Sequence, residues 1–147
     1  MKVVVQRCKK AKCIIEGSIV GEIDCGYMLL VGFKEGDSLD NINKMVKKIV
    51  NLRIFEDESG KMNKNIYQTE PIGEILSISQ FTLYANTNEG NRPSFVEAMK
   101  PDNAKVLYKV FNEALRKENI HVEEGVFGAD MQIDFVNDGP VTIILEF

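Results

Sequence analysis

Residues 26–50, GYMLLVGFKEGDSLDNINKMVKKIV, decide the fold because an apolar strand is followed closely by an amphipathic helix. Tyr27 to Phe33 is a nearly continuous apolar run preceded by a glycine, which is typical of a strand buried on both faces. Asp37 and Ser38 then supply helix N-cap chemistry. Apolar residues follow at three- and four-residue spacing: Leu39, Ile42, Met45, Val46, Ile49 and Val50. The stretch predicts a helix that packs one face on a sheet.

Toward the N-terminus, the sequence predicts further strands. Short runs rich in β-branched residues cover Lys2–Arg7, Ala11–Ile15 and Ile19–Asp24. The turn residues Glu16-Gly17-Ser18 separate the last two runs, and this arrangement is typical of a β-hairpin.

After the first helix, the pattern alternates between short strands and polar turns. Arg53–Phe55 is a candidate short strand, and the polar stretch Glu56–Lys61 is a candidate turn. Ile75–Tyr84 is predicted to be a buried strand, and Ala85–Arg92, rich in Asn, Thr and Gly, is predicted to be a loop.

The C-terminal third predicts a second helix and two more strands. The helix begins at Pro101, carries one apolar stripe and is expected to end near Asn119. The strands cover Met131–Val136 and Val141–Phe147, and Asn137–Pro140 is expected to form the turn between them. The fold class is therefore mixed α/β: residues 1–147 form one compact domain, with a strand-rich sheet or barrel-like core covered on one side by two long amphipathic helices.

The composition and the N-terminal sequence indicate the class of protein and its location in the cell. The chain of 147 residues is 44% hydrophobic and 27% charged, which is typical of a globular protein with one core. The N-terminal run is too short and too polar for a signal peptide or a membrane span, so we expect a cytoplasmic protein without membrane partners. Cys8, Cys13 and Cys25 form no C-x-x-C pair, and we interpret them as buried free thiols.

The charge balance bears on nucleic-acid partners. A net charge of −4 argues against sequence-independent binding of duplex nucleic acid, so DNA is not an expected partner. The cluster of Arg7, Lys9, Lys10 and Lys12 is compatible with phosphate contacts at a tRNA end, although a solvated strand edge is the simpler and preferred interpretation.

Most familiar catalytic signatures are absent. The sequence has no phosphate-binding glycine loop, no G-x-S-x-G motif and no metal-spaced set of ligands, so neither a metal nor a cofactor is predicted. His121 is the single histidine, which makes a Ser-His-Asp triad improbable. Polar residues nevertheless interrupt apolar runs in two segments, Ser79–Leu83 and Asn137–Thr142. Each also has a simple structural interpretation, as a hydrogen-bonded strand end and as a tight turn.

A set of motifs identifies the family that the chain resembles. These motifs follow one another along nearly the whole sequence: Val5-Gln6-Arg7, Leu52-Arg53-Ile54-Phe55 with Lys61-Met62-Asn63, Ser79-Gln80-Phe81-Thr82-Leu83, Gly90-Asn91-Arg92-Pro93-Ser94-Phe95, Gly125-Val126-Phe127-Gly128-Ala129-Asp130-Met131, and Asn137-Asp138-Gly139-Pro140-Val141-Thr142. In their order and spacing they resemble the D-aminoacyl-tRNA deacylases of bacteria and eukaryotes.

The resemblance implies a homodimer that hydrolyses the ester of D-aminoacyl-tRNA and thereby proofreads chirality in translation. Gly139-Pro140, with a cis peptide bond, would reach from one subunit into the other's active site. Its carbonyl oxygens would crowd the side chain of an L-aminoacyl group, whereas D-residues and glycine would be accepted. The partner is then the 3′ end of an aminoacyl-tRNA.

The resemblance also assigns roles to individual residues. Arg7 would hold the Gly-Pro motif in orientation, and Asn137, Val141 and Thr142 flank the motif. The catalytic pocket for the terminal adenosine and the aminoacyl ester would be lined by Ser79, Gln80, Phe81 and Thr82, with Met131 beside the adenine. Phe81 could equally be a core residue.

The chemistry leaves two mechanisms open. An aminoacyl ester is already activated, so a positioned water and a stabilised oxyanion can suffice. Thr82 is a candidate nucleophile, but no base to activate it is evident. We favour assistance by the ribose 2′-OH, with backbone amides near Phe81 and Thr82 holding the oxyanion. Three alternatives remain open: a binding module that captures tRNA ends without cleaving them, a structural dimer domain, and a deacylase for L-amino acids.

Overall fold

The computed structural model describes residues 1–88 and 90–147. The main elements are β1 (Lys2–Ile15), β2 (Ser18–Ile23), β3 (Gly26–Gly32), α1 (Leu39–Val50), β4 (Phe55–Glu56), β5 (Met62–Lys64), β6 (Glu74–Ser79), α2 (Pro101–Lys117), β7 (Val122–Glu124) and β8 (Gln132–Glu146). Short 3₁₀ turns cover Ile66–Gln68 and Phe81–Tyr84. Position 89, inside the loop expected over residues 85–92, lies outside the described residues.

The main sheet has the order β2-β1-β3-β6-β7, and β8 pairs with β1 as well. β1 is long enough to pair with β3 through its first half and with β2 through its second half. The pairs that involve β1 are antiparallel, whereas β3, β6 and β7 are parallel. The far ends of the sheet approach each other, since a Cβ built on Gly21 of β2 would lie 3.2 Å from the Glu124 carbonyl oxygen of β7. The single domain is therefore a nearly closed, barrel-like sheet with two helices.

The two faces of the sheet carry separate cores. Val3, Val5 and Leu29 face the helices, and α1 and α2 cover them with apolar stripes that include Ile49 and Phe111. The opposite face forms the barrel interior, which is filled by Cys8, Ala11, Cys13, Ile23, Met28, Leu76 and Ile78. Burying apolar side chains on both faces explains why β3 is so uniformly hydrophobic.

Both predicted helices are confirmed, and so is the hairpin. The Asn41 side chain accepts a hydrogen bond of 3.0 Å from the backbone N–H of Ser38, which fixes the start of α1. α2 ends two residues before Asn119. The hairpin turn consists of Glu16 and Gly17, with φ of 50° and 79°, the left-handed conformation that two-residue hairpin turns require.

Some predicted strand boundaries are wrong. The separate strands expected at Lys2–Arg7 and Ala11–Ile15 are one strand, β1, whose pairing with β8 shifts register on both sides of Cys8. Such bulges bend a strand without ending it, and the bend lets β1 serve both halves of the barrel.

The turn predicted at Asn137–Pro140 is also wrong. β8 runs without reversal from Gln132 to Glu146, and its two halves pair with the same strand, β1. Between the pairs Gln6↔Thr142 and Cys8↔Asn137, four residues of β8 stand opposite the single residue Arg7. The Gly-Pro segment is therefore a large, four-residue bulge within an edge strand.

Three smaller corrections concern short elements. The strand predicted over Ile75–Tyr84 ends at Ser79, and a 3₁₀ turn follows. The short strand expected at Arg53–Phe55 is displaced to Phe55–Glu56, where it forms a small hairpin with β5. β5 was not predicted, because three residues are too few to show a period. None of the helices in the described parts of the chain is long and apolar enough to cross a membrane.

Candidate active site

A cavity of about 650 Å³ opens beside the C-terminal ends of β3 and β6. Its walls come from these strand ends, the 3₁₀ turn, the segment 95–104 and the segment 127–133. The lining includes Ser79, Gln80, Phe81, Phe95, Lys100, Phe127, Asp130 and Met131. Ligands often bind outside the carboxyl ends of parallel strands, and this cavity has the size of a small-molecule site.

The end of β6 sets the position of the first wall. Ser79 is paired with Val31 of β3, and the backbone N–H of Gln80 donates to the Val31 carbonyl over 2.7 Å. Gly32 allows this close approach, because a Cβ at that position would lie 2.9 Å from the Gln80 carbonyl oxygen. The chain then turns into the 3₁₀ segment and presents Phe81 at the surface.

Phe81 is not a core residue. Its side chain is 56% exposed, and its ring packs edge-to-face on Phe95 with 5.0 Å between ring centroids. Both rings line the cavity. The arrangement provides an exposed aromatic wall that could accept a flat or apolar group.

Thr82 adjoins the cavity without belonging to its lining. The Gln80 side-chain amide donates a hydrogen bond of 2.5 Å to the Thr82 hydroxyl oxygen. An amide donor cannot remove a proton from a hydroxyl, so this contact does not activate Thr82 as a nucleophile. His121 is paired with Glu123 over 3.0 Å and is absent from the cavity lining.

Met131 forms part of the opposite wall. Gly125 lies behind it, and a Cβ at Gly125 would lie 2.6 Å from the Met131 sulfur. The half-buried thioether is therefore held between the Gly125 backbone and the cavity.

Buried phenols near the site are neutral. Burial raises the pKa of Tyr108, whose hydroxyl donates to the Ser77 carbonyl over 2.7 Å. Burial also raises the pKa of Tyr84 at the end of the 3₁₀ turn. Neither group is suited to act as a base. Among the residues that the structure describes, no cluster of three or more His, Cys, Asp or Glu side chains could hold a metal ion.

The Gly139-Pro140 segment lies away from this cavity in its own chain. Neither residue lines the cavity, and Ile133, the nearest lining residue on β8, is six residues earlier, up to about 20 Å along a strand. The Gly139-Pro140 peptide bond is cis, and both residues are exposed. Within one subunit, the expected chiral filter therefore forms no part of the lining of the expected pocket.

Arg7 is the neighbour that contacts the Gly-Pro segment. It is 4% exposed, its Nη1 donates to the Ile54 carbonyl over 2.6 Å, and its Nε lies 3.0 Å from a carboxylate oxygen of Asp138. A Cβ on Gly139 would lie 3.3 Å from Nη2 of Arg7. The guanidinium group is thus packed directly against the bulge.

The residues that flank the motif have less distinct surroundings. Thr142 accepts a long hydrogen bond of 3.5 Å from the Gln6 side-chain amide. Val141 packs against the core beneath the helices. The side-chain oxygen of Asn137 is buried and finds no hydrogen-bond partner among the described residues.

Several cavity residues received no role from the sequence. Phe95, Phe127 and Asp130 fall inside the motifs quoted above, so the signal was present, but nothing in the motifs showed that these side chains share a wall. Lys100 lies outside every motif, next to the first residue of α2. Folding alone brings it to the cavity.

Comparison with known proteins adds independent evidence. A family model described as D-Tyr-tRNA(Tyr) deacylase matches residues 4–146. Proteins named D-aminoacyl-tRNA deacylase from Lactobacillus gasseri and Bacillus cereus are 54% and 53% identical to this chain, and each match covers 99% of both sequences.

Two solved structures match nearly the whole chain. One described as a c-Myc DNA unwinding element binding protein is 42% identical, has a TM-score of 0.92, and matches over 100% of this chain and 99% of its own. A probable eukaryotic D-amino acid tRNA deacylase is 17% identical with a TM-score of 0.80, over 98% of this chain and 97% of its own. The second likeness bears on the fold alone.

Proposed function

This chain belongs to the D-Tyr-tRNA(Tyr) deacylase family, and from that premise we propose how it selects and cleaves its substrate. It is a D-aminoacyl-tRNA deacylase, a hydrolase that acts on aminoacyl-tRNA. The proposal is that the cavity holds the aminoacylated 3′-adenosine, that a second subunit supplies the chiral filter, and that glycyl esters are cleaved as well. The observation that carries it is the aromatic-walled cavity beside Ser79–Phe81.

The cavity suits an aminoacyl-adenosine in size and in chemistry. Its volume of about 650 Å³ is appropriate for a ligand of that size. Phe81, Phe95 and Met131 offer apolar surfaces to a base or an amino-acid side chain, and Ser79 and Lys100 offer polar groups at the edge. A site of this kind would bind the 3′ end of a tRNA and would need little contact with the rest of the tRNA.

The contacts of Thr82 support a substrate-assisted reaction. Its hydroxyl oxygen accepts a hydrogen bond from the NH2 group of the Gln80 side chain, and an amide is not a base that could remove the hydroxyl proton. The backbone N–H groups of Phe81 and Thr82 open a 3₁₀ turn, where no carbonyl of the same turn can pair with them. We propose that these amides hold the oxyanion while the ribose 2′-OH assists the attack of water on the ester carbonyl.

A second copy of the chain would complete the site. The sheet face opposite the helices is open where Ile144 is 68% exposed and is paired with Val4, which in turn pairs with Leu30. Side chains directly opposite one another in a sheet share a face, so these three form an apolar row that continues toward the cavity. Pairing this row with its copy about a two-fold axis would form a homodimer and could bring Pro140 of one subunit to the partner's cavity.

The filter would act by exclusion. Carbonyl oxygens of the Gly139-Pro140 segment would occupy the space toward which an L-side chain points, whereas a D-side chain points elsewhere and glycine has none. This explains the acceptance of many D-amino acids together with glycine, and it would serve chiral proofreading during translation.

The deciding experiment measures deacylation of one tRNA charged separately with D-tyrosine, L-tyrosine and glycine at limiting enzyme. We expect loss of the D-tyrosyl and glycyl esters and survival of the L-tyrosyl ester. Equal loss of the D- and L-tyrosyl esters would overturn the filter. Survival of the glycyl ester would remove glycine from the proposal and leave the rest.

The name of one structural relative raises duplex DNA as a partner. On this chain, Lys9 and Lys12 lie 3.6 Å and 3.3 Å from the carboxylates of Asp138 and Asp134, and Arg7 is buried. With a net charge of −4, this surface does not favour a polyanion. We propose a tRNA end as the nucleic-acid partner, and fluorescence anisotropy with labelled duplex DNA and charged tRNA compares the two directly.

A further inference from the structure

The charge of Arg7 is buried beneath the Gly139-Pro140 bulge. The side chain is 5% exposed, and within the described parts of the chain only Nη1 donates to a backbone carbonyl, that of Ile54. Because Nη2 lies 3.3 Å from where a Cβ on Gly139 would be, a displacement of the guanidinium group would move the bulge or open a gap beneath it. Whatever holds Arg7 therefore also holds Gly139.

Two carboxylates flank the guanidinium group. An oxygen of Asp138 lies 3.0 Å from Nε, and an oxygen of Glu56 lies 3.6 Å from Nη2. Nε is buried without an aligned hydrogen bond among the described residues, so the negative charge of Asp138 is its main compensation. A buried cation that loses such compensation is strongly destabilised where it stands.

These contacts come from two distant parts of the chain. Asp138 belongs to the bulge itself, whereas Ile54 and Glu56 belong to the region of the small β4–β5 hairpin. Asp57 braces that hairpin by accepting hydrogen bonds from the Ser59 and Lys61 backbone N–H groups at 2.8 Å and 3.0 Å. The hairpin thus presents a fixed surface to Arg7.

We propose that Asp138 and Glu56 are positioning residues for chiral discrimination, which act by holding Arg7 against Gly139. The inference rests on the proposed filter role of Gly139-Pro140 and extends it to the β4–β5 hairpin, none of whose residues lines the cavity. Asp138 contributes more than Glu56 to holding Arg7, because it is closer to Arg7 and less exposed. Its side chain has 31% of its surface accessible, against 59% for Glu56.

The test compares Asp138→Asn and Glu56→Gln with a control, Glu58→Gln. Glu58 lies on the same hairpin and pairs with Lys64 over 2.5 Å, but it makes no ion pair with Arg7. For each variant, kcat/KM is measured with D-tyrosyl-tRNA and with L-tyrosyl-tRNA. We expect the L-to-D ratio to rise by about tenfold or more in Asp138→Asn and by a few-fold in Glu56→Gln, with no change in the control.

A purely structural role predicts a different result. Loss of stability alone would lower activity on both esters together and leave their ratio unchanged, so an unchanged ratio in both variants overturns the inference. If Asp138→Asn does not fold, the exposed Glu56→Gln decides. The wild-type protein separates the two proposals: if it fails to prefer the D-ester, the proposed filter fails and the inference fails with it.

Discussion

Thr82 is the residue on which the reaction mechanism depends most directly. Its hydroxyl is exposed beside the cavity and accepts a hydrogen bond from the Gln80 amide. In a covalent hydrolase, a base accepts the proton of the nucleophilic hydroxyl. The Thr82 hydroxyl has no such partner among its contacts in the described residues.

We therefore predict that Thr82→Ala retains kcat/KM for D-tyrosyl-tRNA within about tenfold of wild type, because the hydroxyl would contribute orientation and not a covalent bond. Steady-state deacylation measures this, with Thr82→Ser as the control. A loss on the order of 10⁴ or more in Thr82→Ala, with tRNA binding intact and activity kept in Thr82→Ser, would establish a nucleophile instead.

The cysteines are also informative at the residue scale: Cys8 and Cys13 are buried as predicted, whereas Cys25 is only half-buried. Burial raises the pKa of the Cys8 thiol to about 12, and burial also raises the pKa of Cys13 and of Cys25. At pH 8 all three are therefore protonated and poorly nucleophilic. We predict negligible reaction with a chromogenic disulfide reagent in the folded protein, release of three thiols in denaturant, and no loss of activity after brief alkylation. Fast labelling that abolishes activity would contradict this interpretation.

At the scale of elements, the position of the 3₁₀ turn depends on the backbone contact at Gly32. Added bulk there would meet the Gln80 carbonyl oxygen at 2.9 Å and the Leu83 Cβ at 3.2 Å, so the turn must shift. The turn carries Phe81 and the amides assigned to the oxyanion.

Gly32→Ala should accordingly lower kcat/KM for the D-ester by about tenfold or more, together with a stability loss on the order of 1–3 kcal/mol. Gly21→Ala is the matched control, because its Cβ would meet the Glu124 carbonyl oxygen at 3.2 Å where the barrel closes, and neither Gly21 nor Glu124 lines the cavity. The control should lose stability and keep its activity. Equal activity losses in both variants would show that only stability is affected.

The β4–β5 hairpin contains a carboxyl group, that of Asp57, whose pKa is lowered by folding. Hydrogen bonds from the Asn63 and Ser59 side chains and from the Lys61 backbone hold the pKa of Asp57 well below its usual value near 3.8. Because the folded state has the lower pKa, the stabilisation by Asp57 is complete above pH 4 and is lost as the pH falls further.

It follows that the difference in melting temperature between wild type and Asp57→Asn should be constant from pH 5 to pH 8 and shrink below about pH 4. Thermal unfolding followed by circular dichroism measures the melting temperatures of the wild type and of Asp57→Asn at each pH. A difference that changes between pH 5 and pH 8 would mean that another group titrates with the hairpin.

At the scale of the whole molecule, the cavity and the Gly-Pro segment occupy separate places on one subunit. In the proposed arrangement the apolar row of Val4, Leu30 and Ile144, of which Ile144 is exposed and the other two are half-buried, pairs with a second copy, and a complete site would require two chains. Mixed dimers can test this arrangement, because they separate contributions made within a subunit from those made across the interface.

We predict that Pro140→Ala cleaves L-tyrosyl-tRNA and that excess of a cavity-blocked chain, Ala129→Trp, suppresses this L-activity in mixed dimers. In such a dimer the intact cavity faces the intact motif of its partner, so D-activity should persist. Subunits are exchanged by mild unfolding and refolding, and both activities are followed against the mixing ratio. L-activity that persists in proportion to the Pro140→Ala chain would place the filter within its own subunit.

The sequence by itself determined what depends on neighbouring residues. The helical spacing from Leu39 to Val50 predicts α1, since one apolar stripe suffices to specify a surface helix. Glu16-Gly17 predicts the hairpin turn, because that turn needs a left-handed conformation that glycine adopts readily. The ordered motifs likewise point to the family before any contact is known.

The tertiary structure alone decided which distant residues meet. Asn137–Pro140 has the composition of a tight turn, yet it is a bulge, because both halves of β8 pair with β1, which lies more than 110 positions away along the chain. The same long-range pairing places Asp138 and Glu56 around Arg7, and folding brings Phe95 and Lys100 to the cavity. Strand pairing depends on hydrogen bonds and burial between segments that are far apart in the sequence. The hydrophobic pattern within one segment therefore does not show which other strand it will pair with.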